Sequence, residues 1–111
     1  MQGLPDYLAP GLALVFVGMN PGLASARRGH YYAGPGNLFW PALHHAGLTP
    51  RLLRPEEDVL LPTFGIGVTD LVPRPSRSSA ELTPEEWRAG AEALEARLSP
   101  VQPRMVCFNG L

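Results

Sequence analysis

Ala13-Leu14-Val15-Phe16-Val17-Gly18-Met19-Asn20-Pro21-Gly22 is the stretch on which the reading of this chain turns. A continuous apolar run too short for a helix stops abruptly at a turn bearing glycine and proline. That combination predicts a strand buried on both faces. Two later runs have the same character: Ile66 to Val72, closed by Pro73, and Arg104 to Phe108. Between them, Thr83-Pro84-Glu85-Glu86 carries a strong helix start: a capping threonine, proline at the first helical position and a glutamate completing a capping box. Trp87, Ala91, Leu94 and Leu98 then fall on one face of the expected helix. Asn37 is placed to cap another helix running to Ala46, ended by Gly47. The segment from Gly22 through Gly36 reads as a loop rich in glycine and aromatic residues. Residues 48–64 read as loop with a short helical turn around Pro55-Glu56-Glu57-Asp58, and Arg74 to Leu82 as another loop. Strands alternating with helices imply parallel pairing, hence an α/β fold.

The 111 residues allow one small domain, 1–111, and no second core. Three strands with two main helices would cover both faces of a parallel sheet poorly, so the chain is expected to be the N-terminal portion of a larger, truncated fold. With 45% apolar and 17% charged residues, wholesale disorder is excluded. No apolar run is long enough for a membrane span, and the start lacks the basic-then-apolar pattern of a signal peptide. A single cysteine, Cys107, rules out an internal disulfide and points to a reducing interior. A cytoplasmic, monomeric protein is expected, nucleoid-associated if bacterial. The nine basic residues, all arginine, nearly balance ten acidic ones for a net charge of −1, so any nucleic-acid contact must come from a local patch.

Ligands of open parallel sheets gather outside the carboxyl ends of the strands. Asn20 follows the first strand there, and Thr69-Asp70 closes on the end of the second. Asn20 reads equally well as a turn residue before proline, and a lone aspartate is more commonly a solvated or loop-capping group. The Gly18–Gly22 turn lacks the pattern and the lysine of a nucleotide phosphate loop. Gly34-Pro35-Gly36 reads as a tight turn. His30, His44 and His45 have no zinc-site spacing, so no metal and no cofactor is expected. Tyr31 and Tyr32 could hold a flipped base by stacking, although paired aromatics in a loop more often pin it to the core.

Taken in order, Gly18-Met19-Asn20-Pro21-Gly22, Gly29-His30-Tyr31-Tyr32, Pro35-Gly36-Asn37-Leu38-Phe39-Trp40, Gly65-Ile66-Gly67-Val68-Thr69-Asp70 and Phe108-Asn109-Gly110 resemble the mismatch-specific uracil-DNA and thymine-DNA glycosylases. The likeness runs from about Leu8 to Leu111. It implies a three-layer α/β/α sandwich around a short parallel sheet, acting on duplex DNA with G·U or G·T mismatches. It also implies that Asn20 positions the water that attacks the sugar C1′. Tyr32, with Tyr31 beside it, would form a wall of the base pocket. Ser76 falls where relatives keep a threonine near that water. Asp70 occupies a position that varies in the family. A second family signature, an asparagine- or methionine-proline-serine segment that fills the gap left by the extruded base, has no counterpart between Met1 and Leu111.

Cleaving the N-glycosidic bond builds positive charge on the sugar and leaves a pyrimidine anion. An asparagine cannot remove a proton, whereas a carboxylate can both take one and stabilise the developing charge. Asn20 is therefore expected to orient water and Asp70 to act as general base or electrostatic stabiliser. The backbone around Gly18, Met19 and Asn20 would read the base through its amides. Arg27, Arg28, Arg74 and Arg77 are candidate phosphate contacts. Two other readings stay open: a glycosylase-like module that binds DNA or a nucleobase without cutting it, and a small nucleotide-binding α/β domain of another kind.

Overall fold

A computed structural model describes residues 2–109; Gly110, named above, lies outside the described residues, as does Leu111. Three strands form one parallel sheet: β1 (Leu14–Gly18), β2 (Ile66–Asp70) and β3 (Met105–Phe108), in the order β2-β1-β3. The chain leaves β1 through α1 (Leu23–Arg28), α2 (Phe39–His45) and a 3-10 helix (Pro55–Phe64) before entering β2. It returns through α3 (Pro84–Leu98) to β3, on the far side of β1. Parallel neighbours need such long crossovers, and both are helical here.

Side chains alternate across the pleat, and the two cores follow that alternation. Phe16, Ile66 and Val68 face a cluster built on Tyr31, Trp40, Leu43, Leu53 and Leu61. Val15 and Val17 face the other way, onto Leu12, Leu94 and Val101. Trp40 and Leu43 of α2 and Leu61 of the 3-10 helix enter the first cluster, and Leu94 and Leu98 of α3 enter the second. Helical layers thus lie on both faces of the sheet, as the α/β reading requires. Val15, Val17 and Val68 are wholly buried. Before the sheet, Tyr7 bridges Val68 in antiparallel fashion, so the N-terminal segment covers the outer edge of β2.

Several boundaries differ from the sequence reading, each for a physical reason. The loop expected after Gly22 contains α1, whose Leu-Ala-Ser-Ala-Arg-Arg sequence favours helix but spans too few turns to show a period. Beyond residue 54 the expected short turn is a ten-residue 3-10 helix. Its buried Asp58 and Leu61 are three apart, the spacing at which such a helix stacks side chains, and Pro62 lies inside it. On α3, Ala91 is exposed and Gly90 takes the packed position instead. The β2 strand ends at Asp70, two residues early: Leu71 still donates its backbone N–H to Gly18, the last residue of β1, but Val72 donates to Met19 in the loop beyond it. The capping box predicted at Thr83 and Glu86 is present. Leu38, not Asn37, holds the capping position of α2, and its side chain cannot cap; Asn37, one residue earlier, accepts a hydrogen bond from Phe39 N–H at 2.9 Å.

Candidate active site

The parallel register pairs Gly18 with Asp70, so the last residues of β1 and β2 stand side by side. A cleft of about 250 Å³ opens outside these ends, lined among others by Gly18, Asn20, Tyr32, Asp70, Ser76 and Asn109. Residues from four separate stretches of chain meet there, and each is held by local interactions.

Asn20 is oriented without ambiguity. Its amide nitrogen donates to the Arg74 carbonyl at 2.7 Å and to the Ser76 hydroxyl at 2.8 Å. A carbonyl oxygen only accepts, so the atom facing it must be Nδ2, and the Asn20 carbonyl oxygen is the group left over for a ligand. Ser76 is 5% exposed and spends its own proton on the Ser78 carbonyl at 2.8 Å, which fixes its lone pair toward Asn20. Ser76 also donates its backbone N–H to the Pro21 carbonyl, stitching the loop after β2 to the loop after β1. Ser76 therefore acts on the cleft through Asn20.

Asp70 is buried, and its Oδ2 has no hydrogen-bond partner. Such a group costs free energy that a folded protein ordinarily avoids. Burial, with the Asp6 carboxylate adding to it, raises the Asp70 pKa to about 7, while the Arg97 guanidinium works the other way. A carboxyl group poised near neutrality is what proton abstraction at physiological pH requires. Its place depends on Gly18: a Cβ there would lie 2.6 Å from Asp70 Oδ1 and 3.3 Å from the Tyr32 hydroxyl. Only the bare α-carbon lets the carboxylate and the phenol approach the same backbone.

Tyr32 adopts φ = 52°, in the left-handed region that a bulky residue rarely occupies. The turn is fastened on both sides, which is how such a conformation persists. Tyr31 N–H donates to the buried Asp58 carboxylate at 2.9 Å, and His30 lies 3.2 Å from the same carboxylate. Ala33 N–H donates to Ser25 Oγ at 3.0 Å. The Tyr32 ring stacks on Phe39, with centroids 3.9 Å apart, and its hydroxyl accepts from Asn109 Nδ2 at 3.0 Å. Burial pushes that hydroxyl up to about 12, so it stays neutral.

Tyr31, expected beside Tyr32 at the base, is packed into the core. It is 2% exposed, its hydroxyl donates to the Pro5 carbonyl at 2.7 Å, and it lines a small adjoining cavity together with Asn20, Tyr32 and Asp70. It anchors the turn that presents Tyr32. Met19 is buried at the cleft lining, and its carbonyl accepts from Val72. Of the four arginines, Arg77 alone lines the cleft. Arg74 is committed to Glu86 through Nε at 2.8 Å and Nη2 at 3.0 Å, and it also reaches the Glu81 carbonyl. Arg28 donates to the Ala33 carbonyl, and Arg27 is exposed at the end of α1.

Asn109 was not among the residues singled out from the sequence as lining the site. It stands just past β3 as Asn20 stands just past β1, a polar residue directly after an apolar run, and that shared position was a usable signal. Its backbone N–H donates to the Val17 carbonyl, which continues the ladder and turns the side chain to Tyr32. Asp6 and Arg97 had no local signal at all.

A family model for the uracil DNA glycosylase superfamily matches residues 5–111, nearly the whole chain.

Proposed function

The chain belongs to the uracil DNA glycosylase superfamily, a group of DNA-repair hydrolases, and from that premise we propose that it removes uracil or thymine from mismatched duplex DNA. The observation that carries this reading is the convergence of Asn20 and Asp70 on one cleft, with the Asn20 amide oxygen and the Asp70 Oδ2 left without protein partners. The target nucleotide flips into the cleft, where Tyr32 lends an aromatic wall. Asn20 accepts a hydrogen bond from a water and aims its oxygen at C1′. As the bond between C1′ and the base nitrogen breaks, its electron pair leaves with the base. The water forms the new bond to C1′ and passes a proton to Asp70. Until then the carboxylate also stabilises the positive charge on the sugar. Asn109 sits at the other side of the cleft, where its amide oxygen suits the imide N–H of uracil or thymine.

Flipping is least costly at a mismatch, which supports a preference for G·U and G·T over A·U. Because Asp70 must be ionised to accept a proton, cleavage should climb with pH through about 7 and level off above it. The test is single-turnover excision from G·U, G·T and A·U duplexes, followed by alkaline cleavage of abasic sites. Asp70→Asn should slow it by on the order of 100-fold or more. A loss below about threefold would return Asp70 to a structural role. Retained duplex binding with no cleavage by the unmodified chain would favour a binding module instead.

A further inference from the structure

Behind the cleft lies a charged pair that the mechanism does not use. Asp6 belongs to the N-terminal segment, and the Tyr7–Val68 bridge sets it alongside Thr69. There its Oδ1 accepts from the Thr69 hydroxyl at 2.5 Å, across 63 residues of sequence. Arg97 reaches in from the last turn of α3, and its Nη2 donates to the backbone carbonyl of Asp70 at 3.0 Å. Its Nη1 stands 3.6 Å from Asp6 Oδ2. Arg97 Nε is buried without a hydrogen-bond partner, as is Asp70 Oδ2. Two opposite charges are thus tied to consecutive residues of β2, one through a side chain and one through the backbone.

Resting on the reading of Asp70 as the base, the geometry points to Asp6 and Arg97 as a positioning pair that holds the end of β2 in place and sets the pH at which Asp70 gives up its proton. Neither touches substrate. Each has the opposite electrostatic sign, and a weakly solvated carboxylate feels both. The Asp6 charge opposes ionisation of Asp70, and the Arg97 charge favours it. The other groups around Asp70 do not mask the effect. Tyr31 and Tyr32, from the loop after α1, are held neutral by burial, the first far above the usual phenol range and the second at about 12. Asn20 and Ser76 are uncharged, and Arg77 at the cleft lining is a fixed cation.

The experiment compares the wild type with Asp6→Asn, Arg97→Gln and Arg97→Lys. Two readouts are followed across neutral pH: the single-turnover rate on a G·U duplex, and the titration of the Asp70 carboxyl carbon by NMR in free protein. Asp6→Asn should move both midpoints to lower pH by roughly half a pH unit or more, and Arg97→Gln should move them to higher pH by a similar amount. Arg97→Lys, which keeps the charge, should stay near wild type. A merely structural role would change rate or melting temperature without opposed movements of the midpoint. Midpoints that stay put, or move in the same direction in both variants, overturn the proposal. Asp6→Asn keeps an acceptor for Thr69, so it decides the matter even should Arg97→Gln not fold. The NMR titration reads the pair whether or not Asp70 proves to be the base, whereas an active Asp70→Asn enzyme would sink only the catalytic reading.

Discussion

A carboxylate that is useful because it is poorly solvated must also weaken the fold that holds it. Burial holds the pKa of Asp70 in the folded protein at about 7, well above the ordinary carboxyl range. A group raised in this way contributes stability that is full below about pH 4 and lost as pH rises through about 7. Asp70→Asn, neutral throughout, should therefore be more stable than wild type above pH 7, by on the order of a few kcal/mol, and should lose that advantage below pH 4. Denaturant midpoints measured across this range check it; a difference independent of pH would contradict the assigned burial cost. Gly18→Ala tests the same crowded point from the other side. Its Cβ would lie 2.6 Å from Asp70 Oδ1, and the carboxylate must move away. Single-turnover cleavage should fall roughly 100-fold while circular dichroism stays native. Asn20 and Asp70 stood out in the sequence because each lies at or just past the end of an apolar run, whereas Tyr32 was placed at the pocket only by the family resemblance. Asp6 and Arg97 were not legible there, since their importance comes from pairings across the sheet edge and from α3 that no window of sequence contains.

At the scale of elements, the legible parts were those with strong local chemistry. The three strands announced themselves as apolar runs bounded by glycine and proline, and α3 by its capping box. The short α1 and the 3-10 helix escaped because neither displays a period of 3.6 over enough residues, and Pro62 reads as a breaker. The packing of α3 carries its own prediction. A Cβ on Gly90 would approach the Leu71 carbonyl to 2.5 Å and Val72 Cγ2 to 3.2 Å. Gly90→Ala gains about 1 kcal/mol of helix propensity, but a backbone carbonyl cannot step aside as a flexible side chain can. Overpacking of roughly 1–3 kcal/mol should prevail. The variant should melt earlier and, because Leu71 follows Asp70, cleave more slowly as well. A higher melting temperature would show that α3 rides more loosely on the sheet than these distances indicate.

Taken whole, the molecule has a net charge of −1 and no general attraction for DNA. Binding must then depend on a few well-placed cations, and the structure separates them. Arg77 lines the cleft, whereas Arg74 is held by Glu86 in a two-pronged pair. Arg77→Gln should lower the slope of log affinity against log salt by about 1, and Arg74→Gln should leave the slope close to wild type. Equal slopes for both variants would mean that the ion pair opens on DNA.

The pairing of Gly18 with Asp70 in the β1–β2 ladder has a consequence for how such a protein can vary over time. The distance between the ends that carry Asn20 and Asp70 is gauged by rungs of the sheet and not by the length of chain joining them. Residues can be gained or lost in the segment between α2 and the 3-10 helix with the gauge untouched. One residue added or removed inside β2 turns Asp70 to the opposite side of the sheet, and one inside β1 does the same to the turn that leads to Asn20. Length changes between homologous chains should therefore accumulate in the crossovers and be absent from the rungs.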